Sequence, residues 1–407
     1  MKKTIGIDAR MQGAKYAGIG RYTANLIRHL SRLKEFDQFN WILFVRKEDY
    51  QAINDEYGGK FTCLIANFPH YSLAEQILFP LSLYRAGCDL VHFPHFNVPL
   101  LYFKPFVVTI HDLIKHQSRG PQTTTKKPVL YKIKFFFYQL VIGRAAKQSK
   151  KIFVPSLFVK NQVVNHYRIN EKKVVVTYEG VEDKFSISNP AAGRAGFQFP
   201  NKEKEKVLKK YQIKKPYLLY VGSVYPHKNI NRLIKAVKIA REKSPKLSLV
   251  VVCSRNVFWQ RLKKVIHSIK ADSYIKLTGF VPDEDLALLY QEATSFVFPS
   301  LIEGFGLPPL EAMASSCPVI SSYAACLPEI YGQAALFFDP LNPEDMAKKI
   351  VTMVNDKKLQ NQYRARGLKK VKEYSWEKMA KETFREYRQI IEKGLKPAYR
   401  QTGLKIN

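Results

Sequence analysis

Between residues 298 and 314 the chain runs Phe298-Pro299-Ser300-Leu301-Ile302-Glu303-Gly304-Phe305-Gly306-Leu307-Pro308-Pro309-Leu310-Glu311-Ala312-Met313-Ala314. A strand pattern ends there at a loop with two glycines, and Pro308-Pro309 then opens a helix, because proline's fixed φ suits a first turn. Glycines let backbone amides approach a ligand, and a helix N-terminus favours an anion. Glu303 and Glu311 are good acceptors for paired sugar hydroxyls. On spacing alone, a strand-to-helix turn with two solvated glutamates remains an alternative interpretation.

The rest of the chain alternates strand and helix patterns in two successive halves. Helical patterns such as Tyr22–Leu33 separate short apolar runs, which predicts right-handed βαβ units and mainly parallel sheets. We predict an α/β protein with two Rossmann-like, doubly wound parallel-sheet domains that face each other across a cleft, with ligands at the carboxyl ends of the strands. The predicted strands are Ile5–Ile7, Trp41–Val45, Leu90–Phe93, Phe106–Ile110, Ile152–Val154, Val174–Thr177, Tyr217–Val221, Leu247–Val252, Tyr274–Leu277, Ser295–Phe298 and Pro318–Ser321.

The alternation is interrupted by a polar, Lys-rich stretch. Residues 186–215 contain Asn189-Pro190, Pro200 and a run of alternating charges, which is typical of a linker or surface insertion. We therefore predict a first domain at 1–185 and a second at 216–375. Residues 376–407 are predicted as a C-terminal helix and tail.

Composition excludes several classes of protein. With 407 residues, 46% hydrophobic and 25% charged, the chain is globular and not disordered. Five cysteines without a Cys-x-x-Cys pair indicate neither a disulfide framework nor a zinc site. The first residues are typical of a strand and not of a signal peptide, and no apolar run is long enough to predict a membrane span. A reduced, cytoplasmic protein is expected.

Several motifs together resemble those of one known family. The spacing of Glu303 and Glu311 resembles the Glu-x7-Glu signature of retaining, nucleotide-sugar-dependent glycosyltransferases of family 4, which have the GT-B fold. Five further motifs follow the family's order along nearly the whole chain: Gly18-Ile19-Gly20-Arg21-Tyr22, Thr109-Ile110-His111-Asp112, Tyr220-Val221-Gly222 with Lys228-Asn229, Thr278-Gly279-Phe280-Val281, and Leu327-Pro328-Glu329. A set of motifs in order is far more specific than any single glycine loop.

The resemblance implies that the first domain binds the acceptor, that the second binds the nucleotide sugar, and that the C-terminal helix crosses back to the first domain. It also implies a catalytic set of His111, Lys228 and Glu303. Lys228 would bind the donor diphosphate as a point charge. Glu303 would lie beside the donor hexose, and His111 would contact the transferred sugar near the reacting carbon. Without the motifs, a surface lysine and a packed structural histidine would be the simpler interpretations.

The implied donor-binding set is larger. Glu311 would hold the ribose hydroxyls, Phe280 and Val281 would flank the nucleobase, and glycine and loop amides would contact sugar or phosphate. The full set is Gly18, Gly20, Ser223, Lys228, Phe280, Val281, Glu303, Gly304, Phe305, Gly306, Leu307 and Glu311.

The phosphate motif departs from the family at one position. Many relatives have an arginine where this chain has Ser223, so a second cation must come from elsewhere, and Arg21 and Arg255 are both candidates. A second departure is Cys253-Ser254-Arg255, which stands where relatives often have a glycine pair.

An apparent metal motif has another explanation. Asp283-Glu284-Asp285 has the Asp-x-Asp pattern, but it precedes a helical run. Acidic residues at a helix start serve as N-cap and interact favourably with the positive end of the macrodipole. We predict no metal site and no cofactor, since the nucleotide sugar is a substrate.

The formal net charge of +32 indicates a partner or surrounding that attracts basic proteins. Residues 119–160 contain ten Lys or Arg and no Asp or Glu, and Tyr131–Val141 mixes cations with aromatic residues. Such a segment fits an anionic membrane surface. A core-facing aromatic stripe with a solvated lysine face is the alternative. No nucleic-acid module is recognisable, so no nucleic acid is expected.

These expectations combine into one function and two alternatives. We predict a retaining glycosyltransferase that moves a hexose from a nucleoside-diphosphate sugar to a glycan or lipid-linked acceptor in cell-surface polysaccharide or glycolipid synthesis. Mannose from GDP-mannose is the first expectation for the donor. It would be cytoplasmic, with peripheral attachment to the inner face of the membrane as an option. The alternatives are a nucleotide-sugar epimerase and a basic membrane- or nucleic-acid-binding protein on an inactive scaffold.

Overall fold

The computed structural model describes residues 1–117, 128–189, 194–195 and 199–395. Its first domain is built on a seven-stranded parallel sheet with the order β3-β2-β1-β4-β5-β6-β7. The strands are β1 (Thr4–Asp8), β2 (Asn40–Val45), β3 (Thr62–Ile65), β4 (Leu90–Phe93), β5 (Phe106–Thr109), β6 (Ile152–Val154) and β7 (Val174–Val176). The helices are α1 (Ala17–Leu30), α2 (Lys47–Tyr57), α3 (Leu73–Arg85), α4 (Ile114–Gln117), α5 (Pro128–Gln148) and α6 (Leu157–Tyr167).

Right-handed crossovers assign these helices to the two faces of the sheet. The chain moves one way from β1 to β3, which puts α1 and α2 on one face. It moves the other way from β3 to β7, which puts α3, α5 and α6 on the opposite face. Phe79 and Leu83 of α3 accordingly share one core cluster with Ile142 and Ala145 of α5.

The chain next forms a short antiparallel pair, β8 (Ser188–Asn189) and β9 (Arg194–Ala195), and a helix, α7 (Asn201–Lys210). Helix α7 lies within the stretch predicted as a linker. It is held to the second domain by Lys204, which pairs with Glu292 at 3.0 Å, and by Lys210, which pairs with Asp285 at 2.6 Å. Residues 190–193 and 196–198 of that stretch lie outside the described residues.

The second domain has a six-stranded parallel sheet with the order β12-β11-β10-β13-β14-β15. Its strands are β10 (Tyr217–Val221), β11 (Ser248–Val252), β12 (Ile275–Gly279), β13 (Ser295–Phe298), β14 (Val319–Ser322) and β15 (Ala335–Phe338). Its helices are α8 (Ile230–Lys243), α9 (Val257–Ser268), α10 (Asp283–Glu292), α11 (Leu307–Ala314), α12 (Leu327–Tyr331), α13 (Pro343–Asn355) and α14 (Lys357–Lys370). The prediction of two doubly wound parallel-sheet domains is confirmed.

Sequence patterns located the central strands better than the edge strands. β4, β5, β13 and β14 are buried along their whole length, so they read as continuous apolar runs. The edge strands β3 and β15 were not predicted. No residue of β3 is fully buried: Thr62 and Ile65 at its ends are exposed, and the two residues between them are half-buried.

The last described helix, α15 (Trp376–Leu395), returns to the first domain, where it packs beside α1. Its Tyr387 ring lies 6.2 Å from the rings of both Trp41 and Phe153. Tyr387 also hydrogen-bonds Nδ1 of the buried His92, whose Nε2 contacts Thr109 Oγ1 at 2.8 Å. The second domain is therefore tied to the first by two chain segments.

These two crossing segments touch each other. A Cβ at Gly180, on the outgoing segment, would come within 2.3 Å of the Trp376 nitrogen at the start of α15. Only a residue without a side chain fits this approach. In the described part of the chain, no helix is both long and apolar enough to cross a bilayer.

Candidate active site

The loop after β13 brings the Glu303 and Glu311 pair to the carboxyl ends of the second sheet. Gly306 caps α11 with a φ of 91°, and its carbonyl accepts a hydrogen bond of 2.7 Å from the Tyr331 hydroxyl. Prolines stand in the first turn of α11, as predicted, and Glu311 lies one turn further on. A Cβ at Gly306 would come within 2.2 Å of the Tyr331 hydroxyl. Tyr331 therefore fixes the loop against the helix.

Lys228 and Glu303 form an ion pair. Nζ of Lys228 donates to Oε1 of Glu303 at 2.6 Å, and both side chains are at most 16% exposed. Lys228 ends a 3₁₀ turn after β10, and the next residue, Asn229, has a φ of 60°. The buried Asn229 amide braces this turn, because Nδ2 donates to the carbonyls of Pro299 and Pro340. Two loops distant in sequence are thus held together at the predicted phosphate and hexose positions.

Glu311 has a partner from the other domain. Nη1 of Arg21, on α1, donates to Oε1 of Glu311, and the Tyr290 hydroxyl donates to Oε2 at 3.2 Å. Burial raises the pKa of Glu311, while the positive charge of Arg21 works against that rise. Arg21 also pairs with Glu182 at 3.0 Å and with Asp283 at 3.6 Å. The carboxylate predicted to hold ribose is therefore neutralised from across the cleft.

His111 is held between two acceptors at the carboxyl end of β5. Its Nδ1 lies 3.3 Å from Oε1 of Glu179, and its Nε2 lies 2.9 Å from the Pro94 carbonyl. Burial alone would lower the pKa of His111, but Glu179 and the carbonyl raise it above the usual value. A histidine whose two nitrogens both face acceptors is a donor on both sides and is poorly suited to accept a proton.

The two domains meet at Gly304. A Cβ on this residue would lie 1.9 Å from the His111 carbonyl oxygen and 3.3 Å from the Asp112 Cβ. The Ser156 hydroxyl of the first domain donates to the Gly304 carbonyl at 2.7 Å. Glycine is therefore required here by the close approach of the opposing domain.

Glu329 of the Leu327-Pro328-Glu329 motif also acts across the cleft. Its carboxylate accepts hydrogen bonds from the backbone amides of Leu157 (2.8 Å) and Phe158 (3.0 Å). It also accepts one of 3.0 Å from the Tyr178 hydroxyl. Those two amides belong to the first turn of α6, where N–H groups have no partner within the helix. A carboxylate of the second domain thus completes the cap of a first-domain helix.

The structure places Gly18 and Gly20 differently from the sequence analysis. We expected a glycine loop before a helix at Tyr22–Leu33, but both glycines lie in the first turn of α1, because a 3₁₀ turn at Ala14–Tyr16 already leads into the helix. A Cβ at Gly20 would lie 2.0 Å from the Gly13 carbonyl oxygen, whereas Gly18 borders open space. The Gly18 amide is among the N–H groups that a helix start leaves unpaired, whereas Gly20 is the fourth residue of α1 and its amide belongs to the hydrogen-bonded part of the helix. A role of either glycine in ligand binding stays a prediction.

The residues predicted near the nucleobase differ in exposure. The Phe280 side chain is 73% exposed, whereas Val281 is 3% exposed and belongs to the core. Any contact from Val281 to a base would therefore use its backbone.

Arg255, the second candidate cation, lies beside Gly279, where a Cβ would come within 2.8 Å of the Arg255 Nε. The Ser223 carbonyl accepts a hydrogen bond of 2.6 Å from the Tyr220 hydroxyl.

The Asp283-Glu284-Asp285 run lies in the first turn of α10, as predicted from the macrodipole. The N-cap itself is Pro282, so the acidic residues do not cap through that position. Asp283 pairs with Arg21 and Lys184, and Asp285 pairs with Lys210. Within the described residues, no group of three or more His, Cys, Asp or Glu side chains is arranged to hold a metal ion.

Two cavities lie outside the predicted donor-binding set. A cavity of about 10 Å³ lies at the carboxyl ends of β1 and β4, between Asp8, Ile19 and His95. It has room for roughly one water molecule and none for a sugar. A groove of about 1070 Å³ lies instead beside the chain crossings, between Arg28, Lys184 and Trp376, and is lined by none of the predicted donor-binding residues.

Sequence reasoning missed three functional partners: Glu179 beside His111, and Glu182 and Tyr290 around Arg21 and Glu311. Glu179 had a usable signal, because it closely follows β7 at the carboxyl end of that strand. Tyr290 had none, because it lies within a helix and is fully buried.

Two family models match the two halves of the chain. The model "Glycosyltransferase Family 4" matches residues 16–185, and "Glycosyl transferases group 1" matches residues 201–370. Among curated proteins, O-antigen chain mannosyltransferase B of Escherichia coli is 29% identical over 391 residues, which cover 91% of this chain and 96% of that protein. MMP alpha-(1->4)-mannosyltransferase of Mycolicibacterium hassiacum is 23% identical over 295 residues, which cover 70% of this chain and 66% of that protein.

Solved structures share the two-sheet architecture. Anabaena Alr3699/HepE in complex with UDP-glucose aligns with a TM-score of 0.71 at 13% identity, covering 95% of this chain and 99% of that one. WaaG, a glycosyltransferase involved in lipopolysaccharide biosynthesis, aligns with a TM-score of 0.68 at 14% identity, covering 93% and 98%. At these identities the likeness concerns the fold.

Proposed function

Since the chain is a GT-B glycosyltransferase of the family 4 type, as its motifs predicted, we propose that it transfers mannose from GDP-mannose to a glycan or lipid-linked acceptor, with retention of configuration. Similarity to O-antigen mannosyltransferases supports an enzyme of polysaccharide synthesis and a hexosyl transfer. Mannose and guanosine are the more specific part of the proposal. The similar structures that hold UDP or UDP-glucose make a uridine donor the alternative to test.

One arrangement carries the proposal: the cleft contains cations and carboxylates that pair with each other. Lys228 pairs with Glu303, and Arg21 pairs with Glu311. A nucleoside-diphosphate sugar offers a partner to both kinds of group, because its phosphates attract the cations and its hydroxyls donate to the carboxylates. Donor binding would therefore exchange each protein ion pair for two protein–donor contacts.

The proposed mechanism is electrostatic. Lys228 and the N-terminus of α11 would stabilise the diphosphate as the bond between the sugar C1 and the phosphate oxygen breaks. The acceptor hydroxyl oxygen would then bond to C1 from the face that the diphosphate leaves, and its proton would pass to a phosphate oxygen. The products are the mannosylated acceptor and GDP. No enzyme carboxylate acts as nucleophile, in contrast to retaining glycosidases.

His111 would serve as a hydrogen-bond donor in this scheme. Glu179 and the Pro94 carbonyl already face its two ring nitrogens, which favours the protonated ring. To orient a sugar hydroxyl, one of these N–H groups would exchange its present acceptor for that hydroxyl. A protonated ring has no lone pair with which to abstract a proton. The close domain contact at Gly304 would exclude water and so limit hydrolysis of the donor.

The proposal also includes a cytoplasmic location with peripheral attachment to the inner face of the membrane. Nucleotide sugars and lipid-linked acceptors would meet there. The protein needs no metal in this proposal, because protein cations and helix dipoles face the diphosphate.

The test is nucleotide release from a panel of GDP-, UDP- and ADP-sugars, in the presence of a chelator, with and without a crude lipid-acceptor extract. We expect acceptor-dependent release from GDP-mannose. Lys228→Ala should lower turnover by about 100- to 1,000-fold, as the loss of one transition-state donor does. Lys235→Ala, an exposed lysine of α8 in the same domain, is the matched control.

Two outcomes would favour the other functions. Conversion of the donor sugar into an epimer without acceptor would indicate an epimerase. Absence of turnover and of donor binding across the panel would indicate a binding protein on an inactive scaffold.

A further inference from the structure

Helix α3 has apolar side chains on two opposite sides. Phe79 and Leu83 are fully buried against the sheet. On the outward side, Leu73, Ile77, Leu78 and Leu81 are 77%, 54%, 45% and 48% exposed. Their spacing puts all four on one helical face. An outward face of this kind is unusual for a helix that faces only water.

Helix α5 repeats this arrangement. Val141 and Ile142 are buried against the sheet, whereas the outward side carries Ile133, Phe136, Phe137 and Leu140, which are 51%, 62%, 50% and 46% exposed. These four residues follow the i, i+3, i+4, i+7 pattern of a single face. The membrane and core-stripe interpretations of this helix therefore describe two different sides of it. Residues 119–127 of the predicted basic stretch lie outside the described residues.

A loop joins the two outward faces. Leu101 and Phe103 are 50% and 71% exposed, and they lie between the helices. Tyr84 of α3 holds this loop, because its hydroxyl donates to the Leu101 carbonyl at 3.2 Å and accepts the Phe103 amide at 2.9 Å. Arg144 of α5 lies 4.7 Å over the Phe103 ring. The outward faces of α3 and α5 with residues 101–103 thus form one continuous apolar surface, here called the docking surface.

The exposed charged side chains of α3 and α5 are all basic. Lys132 and Lys134 are exposed on α5, and Arg85 is exposed at the end of α3. The acidic residue of α3, Glu75, is fully buried and pairs with Arg10 at 2.9 Å. The sequence contains no Asp or Glu between Asp112 and Glu171. A second copy of this chain would bring an equally basic face, so self-association there is disfavoured.

We propose that the docking surface binds an anionic lipid bilayer, with its apolar side chains in the interface and its lysines against the headgroups. Exposed Leu, Ile and Phe gain from burial in the acyl boundary, and basic side chains gain from the anionic leaflet. Helices α3 and α5 both follow strands at their carboxyl ends, so both begin at the cleft edge of the sheet. The inference rests on the proposed lipid-linked acceptor, whose glycan could then reach the cleft from the bilayer.

The experiment is flotation of the purified protein with vesicles of phosphatidylglycerol and phosphatidylcholine, and with phosphatidylcholine alone. It uses no donor and no acceptor, so its result is independent of mannosyl transfer. We expect flotation with the anionic vesicles that weakens as salt rises. Phe136→Ser with Phe137→Ser should lower partitioning at least tenfold, and Lys132→Glu with Lys134→Glu should remove most of the salt-sensitive binding.

Matched substitutions elsewhere act as controls. Leu341→Ser removes an equally exposed apolar side chain from the second domain, and Lys263→Glu with Lys264→Glu makes the same charge change on α9. Both controls should float like the unaltered protein. The inference is overturned if anionic vesicles do not bind, if the surface variants bind as well as the controls, or if Phe136→Ser with Phe137→Ser instead abolishes a dimer or nucleic-acid binding.

Discussion

Arg21, on the first helix of the first domain, and Glu311, on the helix that follows the glycine loop of the second, form an ion pair although 290 positions separate them. The Glu311 side chain is only 4% exposed, and Arg21 is the cation that neutralises it. Of the two arginines considered as a substitute for the missing cation at Ser223, Arg21 is the one that the structure pairs with a donor-binding carboxylate. Its partner is at the ribose end of the predicted donor set.

Arg21→Ala should lower the free energy of unfolding by about 3 kcal/mol, the low end for breaking a buried ion pair, because it leaves a buried carboxylate without its cation and Arg21 itself is 26% exposed. Urea unfolding at pH 7 measures this loss. Adding Glu311→Gln should restore most of it, since the buried charge is then absent. Losses that simply add in the double variant would show that the pair is not coupled.

Glu179→Gln should remove the negative charge that favours protonated His111 and so lower the pKa of that ring. A histidine with a raised pKa in the folded state stabilises the protein fully below the unfolded pKa, and this stabilisation is lost as pH rises through the folded value. The difference in free energy of unfolding between the unaltered protein and Glu179→Gln should therefore shrink as pH rises. The alkaline limb of the pH–rate profile should move to lower pH, and histidine NMR would report the ring directly. A profile unchanged by the substitution contradicts this role for Glu179.

Gly304→Ala should separate the domains at the point where they touch, because the new methyl group would overlap the His111 carbonyl. We expect kcat/KM to fall about 100-fold, as a displacement of about 1 Å can cause. Gly59→Ala, where a Cβ meets open space, is the control and should keep full activity. Equal activity of the two variants would show that the contact is dispensable.

Glu329→Gln should weaken the cap that the second domain supplies to α6. A lost cap of this kind costs about 1 kcal/mol, and here it also loosens the domain interface. Small-angle scattering should show a larger radius of gyration than for Glu344→Gln, which changes an exposed glutamate of α13. Identical scattering curves would assign Glu329 a role within its own domain.

Local sequence patterns predicted what lies within one strand–loop–helix unit. Pro308-Pro309, Glu303 and Glu311 could be placed because the turn, the helix start and the spacing are all local. Glu179 could not be paired with His111, because their contact depends on how β5 and β7 are ordered within the first sheet. Arg21 could not be paired with Glu311, because that contact exists only once the two sheets face each other. Gly18 and Gly20 were expected in a loop because their motif resembles the family's N-terminal glycine loop, whereas the structure starts α1 at Ala17, about one turn earlier than predicted.

The return of α15 to the first domain imposes an order on biosynthesis. Tyr387 and Phe384 cover Trp41, and Tyr387 also satisfies the buried His92, yet the ribosome makes them more than two hundred residues after β7 is complete. During that interval one side of the first domain exposes aromatic side chains to solvent and to chaperones. Only the finished polypeptide can cover that side. A chain truncated before Trp376 would therefore keep an exposed, aggregation-prone apolar surface on its first domain, whatever the state of the second domain.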